Sequence, residues 1–340
     1  MDLLDVLTVY YGSEARTIEL QQGDLTNLTP QESIDILLVS AFPNNYLPMS
    51  GTPIGALYRR GVSVEELATA KAIDLCHSCS CWLSQELTPP PGVQIGRILC
   101  YEPPIFGNVA EVIGDMFRCL AQVLSFDTPA SIAIPLVATG ARGEPVSEVI
   151  AATLDAATHW MALGMPLRQV KLIEQSSAKA VEMRRIFERL KNNYPTQLPA
   201  PQPSQNHDLL LSYSLKDGSD TAHALAAELQ RQRPELRIIL DRAELNPDTA
   251  WQHALYDRVN SCRAVVALYT PMYMRSKVCQ EEFNLAHYRD HSAPEQILFP
   301  VFAQDTPLLP AMQALPFVDC RQGAAHLPIA CTDLLARLGL

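Results

Sequence analysis

The chain has 340 residues, 48% hydrophobic and 19% charged, which describes a globular protein with room for two domains and excludes a disordered chain. A formal net charge of −11 excludes broad attraction to duplex nucleic acid or an anionic membrane, leaving a small nucleotide as an anion that a few local groups can hold. The acidic start Met1-Asp2-Leu3-Leu4-Asp5, the lack of an apolar run near the roughly 20 residues of a spanning helix, and nine cysteines without small-scaffold spacing predict a cytoplasmic setting.

In chain order, Asp35–Ser40, Ile98–Tyr101, Ser131–Leu136 and Gln169–Ile173 are short apolar runs that predict buried strands. Helices are expected between them over Val64–Glu86, Val109–Leu124 and Ser147–Ala162, and Val181–Asn192 closes the series with Met183, Ile186, Phe187 and Leu190 at helical spacing. This alternation predicts an α/β layer structure. Cys76-His77-Ser78-Cys79-Ser80-Cys81 falls in one of these helices. A structural zinc site wants four ligands, usually as two separated pairs, and no second C-x-x-C exists, so buried thiols and no metal are expected.

Residues 194–206 carry four prolines among polar residues and predict a semi-rigid linker between domains over 1–193 and 207–340. Beyond it come strand Asp208–Tyr213, helix Thr221–Arg231, strand Arg237–Leu240, helix Trp251–Asn260 and strand Ala264–Tyr269. Short parallel strands with crossover helices predict a flavodoxin-like sheet, with ligands beyond the carboxyl ends of the strands.

Four ordered segments of this second half resemble the Toll/interleukin-1 receptor (TIR) family. They are Leu211-Ser212-Tyr213-Ser214-x-Lys216-Asp217, then Leu240-Asp241 through Pro247 to Trp251, then Ser261 through Tyr269-Thr270-Pro271-x-Tyr273, and Ser276-x-x-Cys279-x-x-Glu282. The resemblance covers about 208–340 and implies a parallel-sheet TIR domain. It departs from the family at Asp248, where glycine commonly follows the proline, and at Val278, where tryptophan often precedes the cysteine. By the resemblance, Glu282 is the carboxylate of NAD-cleaving members. Tyr213 and Trp251 would supply aromatic contacts, Ser214 and Ser276 hydrogen bonds, and NAD+ would be substrate with no cofactor required.

The first half resembles macro domains, which bind ADP-ribose and related nucleotides. The residues are Gln22-Gly23-Asp24-Leu25-Thr26, Ser50-Gly51-Thr52-Pro53-Ile54-Gly55-Ala56 and Ser131 through Pro135 to Thr139-Gly140-Ala141-Arg142-Gly143. The resemblance implies a macro-like α/β sandwich in which Asp24 accepts from an adenine amino group. Gly51, Gly55, Thr139, Gly140 and Gly143 would let backbone amides approach a diphosphate. Ser40-Ala41-Phe42-Pro43 stands where hydrolytic members carry Asn-Ala-Ala-Asn, so sensing or binding is expected in place of hydrolysis.

Together the two resemblances imply an NAD-cleaving effector of the kind found in antiviral defence. It would be gated by a nucleotide activator and by self-association of the TIR domain into an oligomer or filament. ADP-ribose-like and cyclic-oligonucleotide activators both stand, the latter needing a two-fold pocket between subunits. A non-catalytic TIR adaptor is the alternative; the enzyme needs Glu282 in an open cleft and the adaptor does not.

Overall fold

The computed structural model describes residues 1–88, 90, 92–103, 107–135, 145–197, 207–240, 251–293, 295–323 and 326–339, without the side chains of 251–254 and 257. The chain divides into two compact units, Met1–Ala200 and Pro201–Leu340. Both are α/β.

In the N-terminal unit the strands are β1 (Asp2–Tyr11), β2 (Glu14–Gln22), β3 (Ile34–Ser40), β4 (Lys71–Leu75), β5 (Cys81–Ser84), β6 (Ile95–Tyr101), β7 (Ala130–Pro135) and β8 (Leu167–Glu174). They form one sheet ordered β1-β2-β8-β7-β3-β6-β5-β4. Its centre, from β2 through β8, β7 and β3 to β6, is parallel, and the flanking pairs are antiparallel. Neighbouring residues Leu37 and Leu38 are both buried, as in a parallel sheet covered on both faces.

The helices are α1 (Pro53–Arg59), α2 (Val64–Ala68), α3 (Cys76–Cys79), α4 (Val109–Val123), α5 (Val146–Ala162) and α6 (Ser177–Lys191). Asn108 opens α4 with a capping box to Glu111, satisfying end amides that the helix itself leaves bare. Helix α4 packs on α5 and α5 on α6, while α1 and α2 contribute Ile54, Leu57 and Val64 to a core with Leu37, Val39, Cys100 and Ala133.

Two expectations change here. The helix expected over Val64–Glu86 ends at Ala68 and gives way to β4, α3 and β5. Ser80 adopts a left-handed φ of 53°, which no helix continues through, and Trp82 and Leu83 pair with Cys100 and Leu99 of β6. That pairing buries Trp82 completely, so tertiary contact outweighs a fortuitous helical spacing. The hairpin β1–β2 was not anticipated either. Residues Tyr194, Thr196 and Gln197, at the start of the expected linker, bond to Asp155 and Tyr10 of the N-terminal unit.

The C-terminal unit contains β9 (His207–Ser212), β10 (Ile238–Ile239), β11 (Cys262–Tyr269), β12 (Leu298–Phe302) and β13 (Val318–Asp319), in the order β10-β9-β11-β12-β13. All four pairings are parallel. This is the flavodoxin-like order expected from sequence, with its topological switch between β9 and β11. Its helices are α7 (Ser219–Gln232), α8 (Trp251–Asn260), α9 (Lys277–Ser292), α10 (Pro310–Gln313) and α11 (Leu327–Arg337). Helices α7 and α11 pack together over the core of Leu209, Leu211, Val266 and Leu334, whereas α8 packs against α9 and β11.

Candidate functional site

Helix α9 runs without proline or glycine from an N-cap at Ser276, whose hydroxyl accepts the Cys279 amide at 3.3 Å. It contains ten buried residues, among them Gln280, Glu281, Glu282, Asn284 and Arg289. An amphipathic surface helix would leave its polar residues in water, so here the polar groups find partners inside the unit.

Glu282 is the centre of this arrangement. It is 0% exposed. Its Oε2 accepts the Ser212 hydroxyl at 2.6 Å, and Ser212 Oγ lies 3.0 Å from the Tyr273 hydroxyl. Its Oε1 lies 3.6 Å from Arg258 Nη1. Ser212 ends β9, Tyr273 follows β11 in a 3-10 turn over Tyr273–Arg275, and Arg258 belongs to α8. The site therefore sits where the two switch-point strands diverge, and three elements orient one carboxylate. Burial drives the Tyr273 hydroxyl well above its ordinary pKa, so it stays a neutral hydrogen-bonding group. The turn before α9 is tied down by Asp217, whose carboxylate accepts the Thr270 hydroxyl at 2.7 Å and the Met272 amide at 2.8 Å.

The residues expected from sequence to accompany Glu282 have the following places. Tyr213 shares a core with Leu209 and Leu211, the strand face opposite Ser212, and donates to the Leu240 carbonyl at 2.9 Å. Ser214 is buried and accepts the Lys216 amide, and Ser276 serves as a helix cap. The Trp251 side chain lies outside the described residues, as do Asp248 and the rest of 241–250. The described residues grouped around Glu282 are Ser212, Tyr273 and Arg258. Ser212 and Tyr273 were legible as members of the motif strings, whereas nothing in the sequence marked Arg258.

In the N-terminal unit, Asp24 and Gly51 meet across a cleft of about 190 Å³, with Thr52, Pro53, Arg59, Glu174, Gln175 and Lys179 also on its walls. Asp24 Oδ1 accepts the Thr26 amide at 2.9 Å and its hydroxyl at 2.6 Å, and Oδ2 lies 3.7 Å from Arg60. Burial raises the Asp24 pKa, but those hydrogen bonds and Arg60 outweigh it and hold the carboxyl below its usual range. Gly51 has φ +80°, a conformation that favours glycine. Gly55 does not line the cleft. Its amide donates to Thr52 Oγ at 3.0 Å, and a Cβ there would lie 2.0 Å from the Met49 carbonyl oxygen. In the structure it is a packing and capping residue. Thr139, Gly140 and Gly143 fall outside the described residues.

All nine cysteines are free thiols, eight buried and Cys76 half-buried. Burial pushes Cys76 and Cys79 up to about 12, which makes them poor nucleophiles. Among the described residues no group of three or more His, Cys, Asp or Glu is arranged to hold a metal ion, and no helix is long and apolar enough to cross a membrane.

Residues 210–333 match the family model described as TIR domain, so the C-terminal unit contains a TIR domain. No curated protein matches the chain. Among solved structures, the chain is similar to a macrodomain of Oceanobacillus iheyensis with ADP, at 18% identity and a TM-score of 0.38, covering 56% of this chain and 100% of that one. A Trypanosoma brucei macrodomain in complex with ADP matches at 18% identity and TM-score 0.37, over 50% of this chain and 68% of that one. The TIR domain of a Toll-related receptor from Hydra magnipapillata matches at 12% identity and TM-score 0.33, over 40% of this chain and 100% of that one. The macrodomain matches fall on the N-terminal region.

Proposed function

We propose that the C-terminal unit cleaves the nicotinamide–ribose bond of NAD+, with Glu282 facing the reacting ribose, and that the N-terminal unit binds a nucleotide that licenses it. The observation that carries this reading is a carboxylate in TIR-motif register, held at the sheet's switch point by Ser212. In the reaction the C1′–N bond breaks with its electron pair passing to nicotinamide, which leaves neutral and needs no proton. Water then bonds to C1′ and releases one proton, giving ADP-ribose; attack by an adenine nitrogen instead gives a cyclised product. A fixed carboxylate lowers the energy of the cationic ribose between these events.

For the N-terminal unit, the cleft between Asp24 and Gly51 supports the nucleotide reading. Its volume is below the roughly 300–1,000 Å³ of sites that enclose a drug-sized ligand, so it suits one end of a nucleotide. Activation by assembly of TIR units, and a role in defence through NAD+ depletion, complete the proposal.

The test is incubation of the full-length chain with NAD+, alone and with ADP-ribose or cyclic oligonucleotides, with nicotinamide measured by chromatography. Glu282→Gln keeps size and removes charge. It should lower turnover by about 10²–10³-fold, the scale of losing one preorganised electrostatic stabiliser. Equal nicotinamide release from the folded variant and the parent would falsify the assignment. The burial of Glu282 favours a second reading, the non-catalytic adaptor. Self-association without nicotinamide release under any activator would establish that one.

A further inference from the structure

The cleft of the N-terminal unit lies where parallel strands end. Glu174 is the last residue of β8, Pro135 the last of β7, and Gly23 the first beyond β2. The Gly23 amide donates to the Glu174 carbonyl at 3.0 Å, which ties two of these ends together. Helices α1 and α6 bring the exposed Arg59 and the half-buried Lys179 to the walls. The acids and bases of this cleft differ in how far they are already engaged. Asp24 has Thr26 on one oxygen and Arg60 at 3.7 Å from the other, and Glu174 accepts the Ser176 amide at 2.7 Å. The Thr52 hydroxyl is committed to the Met49 carbonyl and the Gly55 amide. Arg59, Lys179 and the Gln175 side chain, by contrast, have no hydrogen bond or ion pair among the described residues.

Charge and shape then say which end of a nucleotide suits the cleft. With Arg60 set against Asp24, three cations face two carboxylates, a locally positive spot in a chain of net charge −11. A guanidinium offers a planar fork and an ammonium a point charge, and both bind phosphate oxygens through charge-assisted hydrogen bonds. None of the described lining residues is aromatic, so a base finds no ring to stack on. The cleft holds about 190 Å³, room for one end of a nucleotide and not for its whole length. The phosphate end is the one that meets the unengaged groups.

We propose that this cleft takes the terminal phosphate of a linear nucleotide, with Arg59 and Lys179 as the residues that select it and Gln175 adding a hydrogen bond. The proposal rests on the nucleotide reading of the N-terminal unit and narrows it to one class of ligand. A phosphate monoester carries about −1.5 to −2 charge at pH 7 and presents three free oxygens. In ADP-ribose both phosphates are esterified within the molecule, and a cyclic oligonucleotide has no end at all. Each offers the two cations less charge and fewer oxygens than a free terminal phosphate does. Asp24 is left to meet a hydroxyl or amino donor of the same nucleotide.

The experiment is titration calorimetry of the full-length chain with ADP, ADP-ribose, adenosine and inorganic pyrophosphate. ADP and ADP-ribose share the adenosine and the diphosphate and differ in whether the outer phosphate is free. The parent should bind ADP about tenfold more tightly than ADP-ribose. Arg59→Gln and Lys179→Gln should each weaken ADP by about tenfold and bring it level with ADP-ribose. Lys179→Arg keeps the charge and should retain most of the preference. Should K179Q melt early, R59Q carries the test, since Arg59 is exposed and has no partner within the fold to lose. ADP-ribose bound as tightly as ADP, or a preference for ADP that both glutamine variants retain, overturns the proposal and leaves the nucleotide reading standing. Pyrophosphate bound as tightly as ADP by the parent, and lost in the variants, upholds the phosphate site and rejects the nucleotide reading. Heat from none of the four probes overturns both.

Discussion

The two candidate sites handle an acidic side chain in opposite ways. Glu282 is fully buried and matched by an internal hydroxyl and an internal cation. Asp24 has a third of its side chain in solvent and stands on the wall of an open cleft, its one oxygen occupied by Thr26 and the other facing Arg60. A buried, compensated carboxylate would have to be exposed before it could act on a substrate. A partly exposed one on a preformed cleft can meet a ligand as it stands. The contrast teaches that the proposed binding and the proposed turnover would impose different structural requirements. A ligand can bias an on–off equilibrium only through its different affinity for the two states, so under the proposed function a gate would belong to the site that must change.

The comparison breaks most severely if the Glu282 site does not depend on its internal partners. Ser212→Ala removes the hydroxyl that Glu282 Oε2 and Tyr273 share, leaving buried polar atoms unmatched. The C-terminal unit should lose about 1–3 kcal/mol of stability, and NAD+ turnover should fall because the carboxylate loses its orientation. Denaturant unfolding of the variant measures the first effect; an unchanged midpoint contradicts the described hydrogen bonds. Ser212→Thr retains the hydroxyl and should recover part of both losses.

At the open cleft, Gly55→Ala separates packing from binding. Its Cβ would meet the Met49 carbonyl oxygen at 2.0 Å, a backbone atom that cannot swing aside. Overpacking of this kind typically costs about 1–3 kcal/mol. The N-terminal unit should melt earlier while nucleotide binding below the transition is kept. Binding lost without any loss of stability would make Gly55 a ligand contact.

Asp24→Ala probes the same cleft from the ligand side. It should weaken a nucleotide by about tenfold, roughly 1.4 kcal/mol, with little effect on the C-terminal unit's NAD+ turnover once that is fully activated. Titration calorimetry against ADP-ribose, with equal affinities for parent and variant as the contrary result, decides it.

The smallest effect is a pH slope. His287 of α9 stacks on Phe283 at 5.5 Å between ring centroids, and burial lowers its pKa from the ordinary 6.5, only partly opposed by Asp290. With the folded value below the unfolded one, the unfolded chain binds more protons in between. Stability is therefore complete above about pH 6.5 and declines as pH falls toward the lowered value. His287→Gln should flatten that slope in thermal melts of the C-terminal unit between pH 7 and 5. A slope that persists unchanged assigns it to other groups.

Much of this was legible in the sequence because it depends on local pattern. The apolar runs of β3, β6, β7 and β8, the helices α4 to α6, and the strand–helix alternation behind the 2-1-3-4-5 sheet of the C-terminal unit all follow from periodicity and end signals. The register of Ser276, Cys279 and Glu282 along α9 was legible through the resemblance to the TIR family. What escaped depends on partners distant in sequence. Strands β4 and β5 exist because β6 is beside them, and their own residues carry a helical spacing. Tyr213 went to the core while Ser212 went to Glu282, a choice of strand face set by the helix each face meets.

Residue types and spacing by themselves determined the two-unit α/β architecture, because hydrophobic periodicity and turn chemistry act within a few residues, and the TIR motif with Glu282 in its register was legible as a family resemblance. Only the tertiary structure decided that this carboxylate is enclosed, that Ser212 and Arg258 hold it, and that Asp24 stays open on a cleft. Burial and ion pairing are set by which elements pack together, and Arg258 meets Glu282 only because α8 lies against α9.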